Sequence, residues 1–130
     1  MLTSYIKIVS DPSIEDTGFP QQTEIFEWVR SNLKITPPVL DSVDVLNQPR
    51  RMLGLLCDAL GVEFQVAMLA WPPGPRKTDG VWARHWYGEV EKSTGFRPYQ
   101  SKGEPMPPDL ISLYEQCDEH YARLYEHRLK

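Results

Sequence analysis

Cysteine is scarce: Cys57 and Cys117 are the only two in 130 residues. No disulfide framework is available, and each cysteine lies in an apolar helical pattern that predicts a buried thiol. No apolar run approaches the roughly 18 residues needed to span a bilayer. The opening MLTSYIKIVSDPS lacks a basic segment followed by an apolar stretch and a small-residue cleavage site, so no secretory signal is read and a cytoplasmic location is expected. An excess of positive charge is also missing. Lys and Arg total 14 against 18 Asp and Glu, for a net charge of −4, which argues against nucleic acid or an anionic membrane as partners. There is no GxxxxGKS/T loop, no GxGxxG, no GxSxG and no HExxH.

What remains is a chain with 41% hydrophobic and 25% charged residues, the material of one domain with one core. Its charge is unevenly spread. Residues 76–102 hold Arg76, Lys77, Arg84, Lys92, Arg97 and Lys102 against Asp79, Glu89 and Glu91, an excess of three positive charges inside an acidic protein. A local positive field of this size suits a small anion rather than a polymer; the alternative is a solvated basic face.

Met1 to Val9 is mostly apolar and has no capping residue before it. Asp11 to Gly18 reads as a polar turn, after which Pro20 suits a first helical turn. Ile25, Phe26, Trp28, Val29 and Leu33 then share a helical face, with Glu24, Glu27 and Arg30 opposite. Pro37 and Pro38 end this region, and Val39 to Val43 is the best strand candidate. Asn47 as N-cap, Pro49 in the first turn, an apolar face from Met52 to Leu60 and Gly61 at the stop predict a second helix. Phe64 to Leu69 predicts a shorter helix ended by Trp71 and Pro72.

WPPGPRKTDG, residues 71–80, has prolines and glycines around a basic pair and predicts a stiff loop without regular structure. Such stiffness lowers the entropy lost on closing over a ligand. Trp82 to Thr94 can resume as a helix. The last helix follows Pro107 and Pro108, with Leu110, Tyr114, Cys117, Tyr121 and Leu124 at spacings of four and three. His120 and His127 share a face of it but stand about 10 Å apart by the helical rise, too far for one metal without other ligands. Asp118, Glu119 and Glu126 read as its wet face. Trp82, His85 and Trp86 form an aromatic cluster beside the basic loop, either packed core or the anchor of a loop whose Arg76 and Lys77 hold a phosphate.

The run RKTDGVWARHW, Arg76 to Trp86, resembles the C-terminal nucleotide-binding signature of sulfotransferases that use 3′-phosphoadenosine 5′-phosphosulfate. In that family an Arg-Lys-Gly triplet precedes a Gly-Asp-Trp-x-x-His/Thr-Phe element, and Arg76, Lys77, Gly80, Trp82, His85 and Trp86 match it. Thr78 stands where the family has glycine, and Arg76 to Gly80 is one residue shorter than the usual run. VLDSVDVLNQPRRMLGLLCDALGV, residues 39–62, is similar to the family's strand, acidic turn, Asn-x-Pro and helix. LTSYIKI resembles the helix after its Arg-Asn/Asp-Pro motif, with Ser4 at the serine that contacts the 3′-phosphate. The likeness covers essentially the whole chain and is closest to bacterial sulfotransferase-like proteins carrying WPxGPxxxDGxWAxHWYxxVxxSTGF.

The resemblance implies an α/β fold: the C-terminal portion of a P-loop type sulfotransferase domain, helix-dominated, with one or two strands remaining. Residues 1–130 would be part of a single domain whose P-loop half, with its lysine, the usual catalytic histidine and the arginine paired with the serine, lies upstream; Met1 would then be an internal methionine. It implies transfer of a sulfuryl group from the nucleotide donor to a hydroxyl or amine acceptor, without a metal. Ser4, Arg76 and Lys77 would bind the donor, and no catalytic residue would lie in this chain. The partners would be the small-molecule nucleotide and its acceptor, with self-association expected from uncovered apolar faces. The alternative is a non-catalytic helical interaction or regulatory module without a nucleotide site.

Overall fold

In the computed structural model, residues 2–6, 9–81, 83, 87–101, 103 and 105–130 are described, without the side chains of Thr3 and Ser4. Helices dominate: α1 (Leu2–Tyr5), α2 (Phe19–Leu33), α3 (Ser42–Asn47), α4 (Pro49–Leu60), α5 (Gly88–Glu91) and α6 (Ile111–Tyr125), with short 3₁₀ turns at Glu15–Thr17, Val66–Leu69 and Pro108–Leu110. Among the described residues, sheet pairing is limited to isolated bridges, Val39 with Arg128 and Ala70 with Gly95. Among the same residues no helix is long and apolar enough to cross a membrane. The chain divides into two units, Met1–Asp41 with Gln100–Lys130, and Ser42–Tyr99.

In the first unit, Leu2, Leu110, Leu113 and Cys117 form a buried cluster, with Ile6, Ile14, Phe19 and Met106 packed against it. The turn before α2 is held by Asp16, whose carboxylate accepts both the Ser13 hydroxyl (2.7 Å) and the Ser13 backbone N–H (2.9 Å). These donors hold the Asp16 carboxyl below its usual range. Gly18, at φ 76°, then turns the chain left-handed into α2, and Pro20 sits in its first turn as expected. Lys34, at φ 57°, ends the helix before Pro37.

Helices α2 and α6 pack along a seam with polar contacts. The Thr23 hydroxyl and His120 Nδ1 are 2.9 Å apart, and Arg30 Nη1 and His127 Nε2 are 3.4 Å apart. Both helices advance seven residues between these contacts, so they run in the same direction. His120 and His127 do share a face, and what they meet is α2: Thr23 is buried, and His127 stacks 4.9 Å from the Phe26 ring. Asp118, Glu119 and Glu126 are exposed, as their spacing predicts.

The apolar stripe expected on α2 is only partly buried. Phe26 is inside, but Ile25 is 63% exposed and Trp28 58%. The buried line is set by the approach of α6, which selects Thr23 and Phe26 three residues apart rather than the most apolar arc. Ile25 and Val29 instead line an open apolar groove of about 440 Å³ with Pro37, Pro38 and Leu40.

The expected strand Val39–Val43 is corrected. Val39 makes one parallel bridge to Arg128, Leu129 N–H donates to Val39 O at 2.9 Å, and by Ser42 the chain is already helical. With one partner residue rather than a neighbouring strand, β-branched composition cannot propagate a ladder. Beside this bridge the Tyr121 hydroxyl donates to Asp41 Oδ2 at 2.8 Å, and Asp41 is 8% exposed. Burial, then the hydrogen bond to Asp41 and its negative charge, push the Tyr121 phenol up to about 12.

In the second unit, α4 begins at Pro49 as expected, but Asn47 does not cap it. Asn47 closes α3, and its Oδ1 accepts the Tyr99 backbone N–H at 3.0 Å. Met52 and Cys57 are the buried residues of α4, and Cys57 Sγ lies 3.9 Å from Met68 Sδ in the following 3₁₀ turn. Gly61 stops the helix at φ 66°, with Val62 N–H on Cys57 O and Gly61 N–H on Asp58 O. Both cysteines are free and buried, as expected. Of the helix expected over Trp82–Thr94, among the described residues Ala83 is helical, Tyr87 is not, and the helix is α5, Gly88–Glu91. It ends there because Thr94 and Gly95 pair with Trp71 and Ala70.

Candidate functional site

The loop at 71–80 is closed at its base by residues from the far end of the same motif. Ala70 bridges Gly95 in antiparallel fashion, Trp71 N–H donates to Thr94 O at 3.1 Å, and Gly74 N–H donates to Glu91 O at 2.7 Å. The Trp71 indole N–H reaches Ser93 Oγ at 3.0 Å, and its ring meets Phe96 edge-on at 5.3 Å. The close approach explains Gly95: a Cβ there would stand 3.1 Å from Leu69 O. Gly74 has φ 104°, a conformation that side chains disfavour. The WPxG and STGF ends of the motif are therefore two sides of one clasp.

Held by that clasp, residues 76–79 form a tight turn. Asp79 N–H donates to Arg76 O at 3.0 Å, and Arg76 N–H donates to Asp79 Oδ2 at 2.7 Å. Arg76 and Lys77 are adjacent on this turn, exposed, and form no ion pair with a described residue. Lys92 differs: its ammonium lies 2.9 Å from Glu89 on α5. That contact holds the Glu89 carboxyl below and the Lys92 ammonium above their usual ranges. Among the described residues of the basic segment, Arg76 and Lys77 on the turn and Arg97 beyond α5 are therefore the exposed cations without an ion pair.

Of the expected site residues, Arg76 and Lys77, neighbours in the sequence, stand exposed on the turn. Ser4 lies in α1 of the other unit, and its side chain falls outside the described residues. The aromatic cluster Trp82, His85 and Trp86 also falls outside them. Asp79 escaped sequence reasoning because an acidic residue in a basic loop reads as charge balance. The signal was its spacing of three from Arg76, which suits a side chain folding back on a turn. Among the described residues no group of three His, Cys, Asp or Glu could hold a metal ion.

Two adjacent cations on a preformed turn can grip a compact oxyanion, with Arg76 offering several fixed donors and Lys77 a mobile point charge. The chain is 41% identical over 117 residues to branched-chain-amino-acid aminotransferase-like protein 2 of Arabidopsis thaliana, which covers 90% of this chain and 21% of that protein. It is 33% identical over 127 residues to branched-chain-amino-acid aminotransferase-like protein 1 of the same plant, which covers 98% of this chain and 22% of that one. The chain thus spans about a fifth of the length of these curated relatives. No solved structure matches it. The sulfotransferase domain family matches residues 1–110, and with most of its length inside that match the chain belongs to this family.

Proposed function

We propose that residues 1–130 serve as the C-terminal portion of a sulfotransferase domain that takes 3′-phosphoadenosine 5′-phosphosulfate as donor, and that they hold the donor's 3′-phosphate. The observation that carries this reading is the clasped loop with Arg76 and Lys77 exposed side by side on its turn. Arg76 is assigned the directional contact and Lys77 the supporting charge; Ser4, the third residue that the resemblance names, has its side chain outside the described residues. The pairing at the loop's base limits the freedom lost when the phosphate arrives.

When bound, the donor supplies the sulfuryl group, whose bond to the bridging phosphate oxygen breaks as a bond to an acceptor hydroxyl or amine forms. The residues of this chain bind and orient that donor. The base that takes the acceptor's proton and the groups that stabilise the leaving oxygen are assigned to a P-loop half outside these residues. The family match over residues 1–110 supports the sulfotransferase reading, and the relatives whose names contain aminotransferase match this chain over about a fifth of their own length.

The test is calorimetry on the full-length protein with adenosine 3′,5′-bisphosphate. Arg76→Ala is expected to cost about 1.5 to 3 kcal/mol, or about one to two decades in Kd, because a charge-assisted contact to phosphate is lost. Lys77→Ala is expected to cost less, since its ammonium lacks the fixed fork of donors. Unchanged affinity in the Arg76 variant would show that the loop is scaffold. That result would favour a second reading, a helical interaction module, which the exposed Ile25 and Trp28 of α2 support.

A further inference from the structure

We propose that the Asp79 carboxylate is a resident anion of this loop: it occupies the Arg76 backbone N–H, and a phosphate gains that donor only by displacing it. The inference rests on the phosphate-binding reading above and adds to it the residue that sets how tightly the anion is held.

Two bonds join residues 76 and 79, and they do different things. The Asp79 N–H to Arg76 O bond, at 3.0 Å, closes the turn by backbone alone. The Arg76 N–H to Asp79 Oδ2 bond, at 2.7 Å, is additional and has the length of a charge-assisted contact. A backbone N–H next to two exposed cations is a further donor for a phosphate oxygen, beyond the two side chains. Here it already faces a carboxylate, the only acidic group in the Arg-Lys-Thr-Asp-Gly run.

A single N–H cannot serve two oxyanions fully, and two anions on one donor repel each other. An incoming phosphate therefore either rests on the Arg76 and Lys77 side chains alone, or takes the amide while the Asp79 side chain rotates to solvent. No covalent bond changes in either case; one hydrogen bond exchanges for another. In both, Asp79 lowers the affinity, through competition for the donor and through its charge. The turn outlasts the exchange because its backbone bond does not involve the carboxylate.

The experiment titrates adenosine 3′,5′-bisphosphate into the full-length protein by calorimetry, comparing wild type with Asp79→Asn, Asp79→Ala and Arg76→Ala. Asn keeps a side-chain oxygen for the Arg76 N–H and removes the charge, so Asp79→Asn is expected to bind about two- to fivefold more tightly, the range of an exposed charge pair. Asp79→Ala is expected to bind at least as tightly as wild type. If Asp79 only shapes the turn, Asp79→Asn will match wild type and Asp79→Ala will bind more weakly, and either result overturns the proposal. Loss of binding in Arg76→Ala alongside an unimproved Asp79→Asn leaves the phosphate reading standing and removes the resident anion alone. Absence of saturable binding in every variant removes both.

Discussion

The hydroxyl of Tyr121 is the point at which α6 is tied to the segment that follows Pro38. Replacing it by Phe removes one donor, at 2.8 Å, from a carboxylate that is 8% exposed. A hydrogen bond to a charged group is worth about 1.5 to 3 kcal/mol. Tyr121 is itself 39% exposed, so water can partly replace the contact and the low end, about 1.5 kcal/mol, is expected at pH 7. For a domain of this size that is a fall in Tm of about 3 to 8 °C.

The same contact has a signature in alkaline solution. Burial and Asp41 raise the folded-state phenol to about 12, against about 10 in the unfolded chain. A raised value means stabilisation that is complete below pH 10, falls as pH climbs from 10 to 12, and is gone above. Two pH units correspond to about 2.7 kcal/mol at full value, and solvent screening of a partly exposed ring reduces this to about 1 kcal/mol. Urea denaturation followed by circular dichroism, from pH 7 to pH 12, measures wild type minus Tyr121→Phe, which cancels the titration of other groups. The gap is expected to stay level to pH 10 and then narrow by about 1 kcal/mol. A gap below about 0.3 kcal/mol at pH 7, or one that stays constant through pH 12, would refute the reasoning.

Gly95→Ala is expected to cost about 1 kcal/mol, because the new methyl would stand 3.1 Å from Leu69 O and must push the clasp apart. Hydrogen exchange should quicken at the Trp71 and Gly74 amides while α2 and α6 keep their protection; unchanged exchange at those amides would count against the clasp. Ser13→Ala should move the Asp16 carboxyl up toward its usual range, since its largest cause of depression is the Ser13 hydroxyl. The present depression adds stability above the ordinary carboxylate range that is lost as pH falls through the folded-state value, and a nuclear magnetic resonance titration of Asp16 reads the change directly.

Local rules written in the residues set where α2 and α4 begin and where α4 ends. Pro20 and Pro49 can begin a helix because a first turn has no use for the N–H they lack, and Gly61 can end one because it accepts a left-handed φ without a Cβ penalty. The pairing of Arg76 with Lys77 and the irregular loop that carries them were equally legible, since proline and glycine act on the backbone wherever they stand. Three features depended on contacts distant in sequence. Val39 lacks a strand because a strand exists only where a partner runs beside it, and Asn47 gives its side chain to Tyr99, 52 residues away, rather than to α4. Which arc of α2 is buried was settled by the parallel approach of α6, whose two histidines meet Thr23 and Phe26 rather than the exposed Ile25 and Trp28. A helix's apolar content sets what could be buried; the partner's position selects what is, because burial needs a second surface.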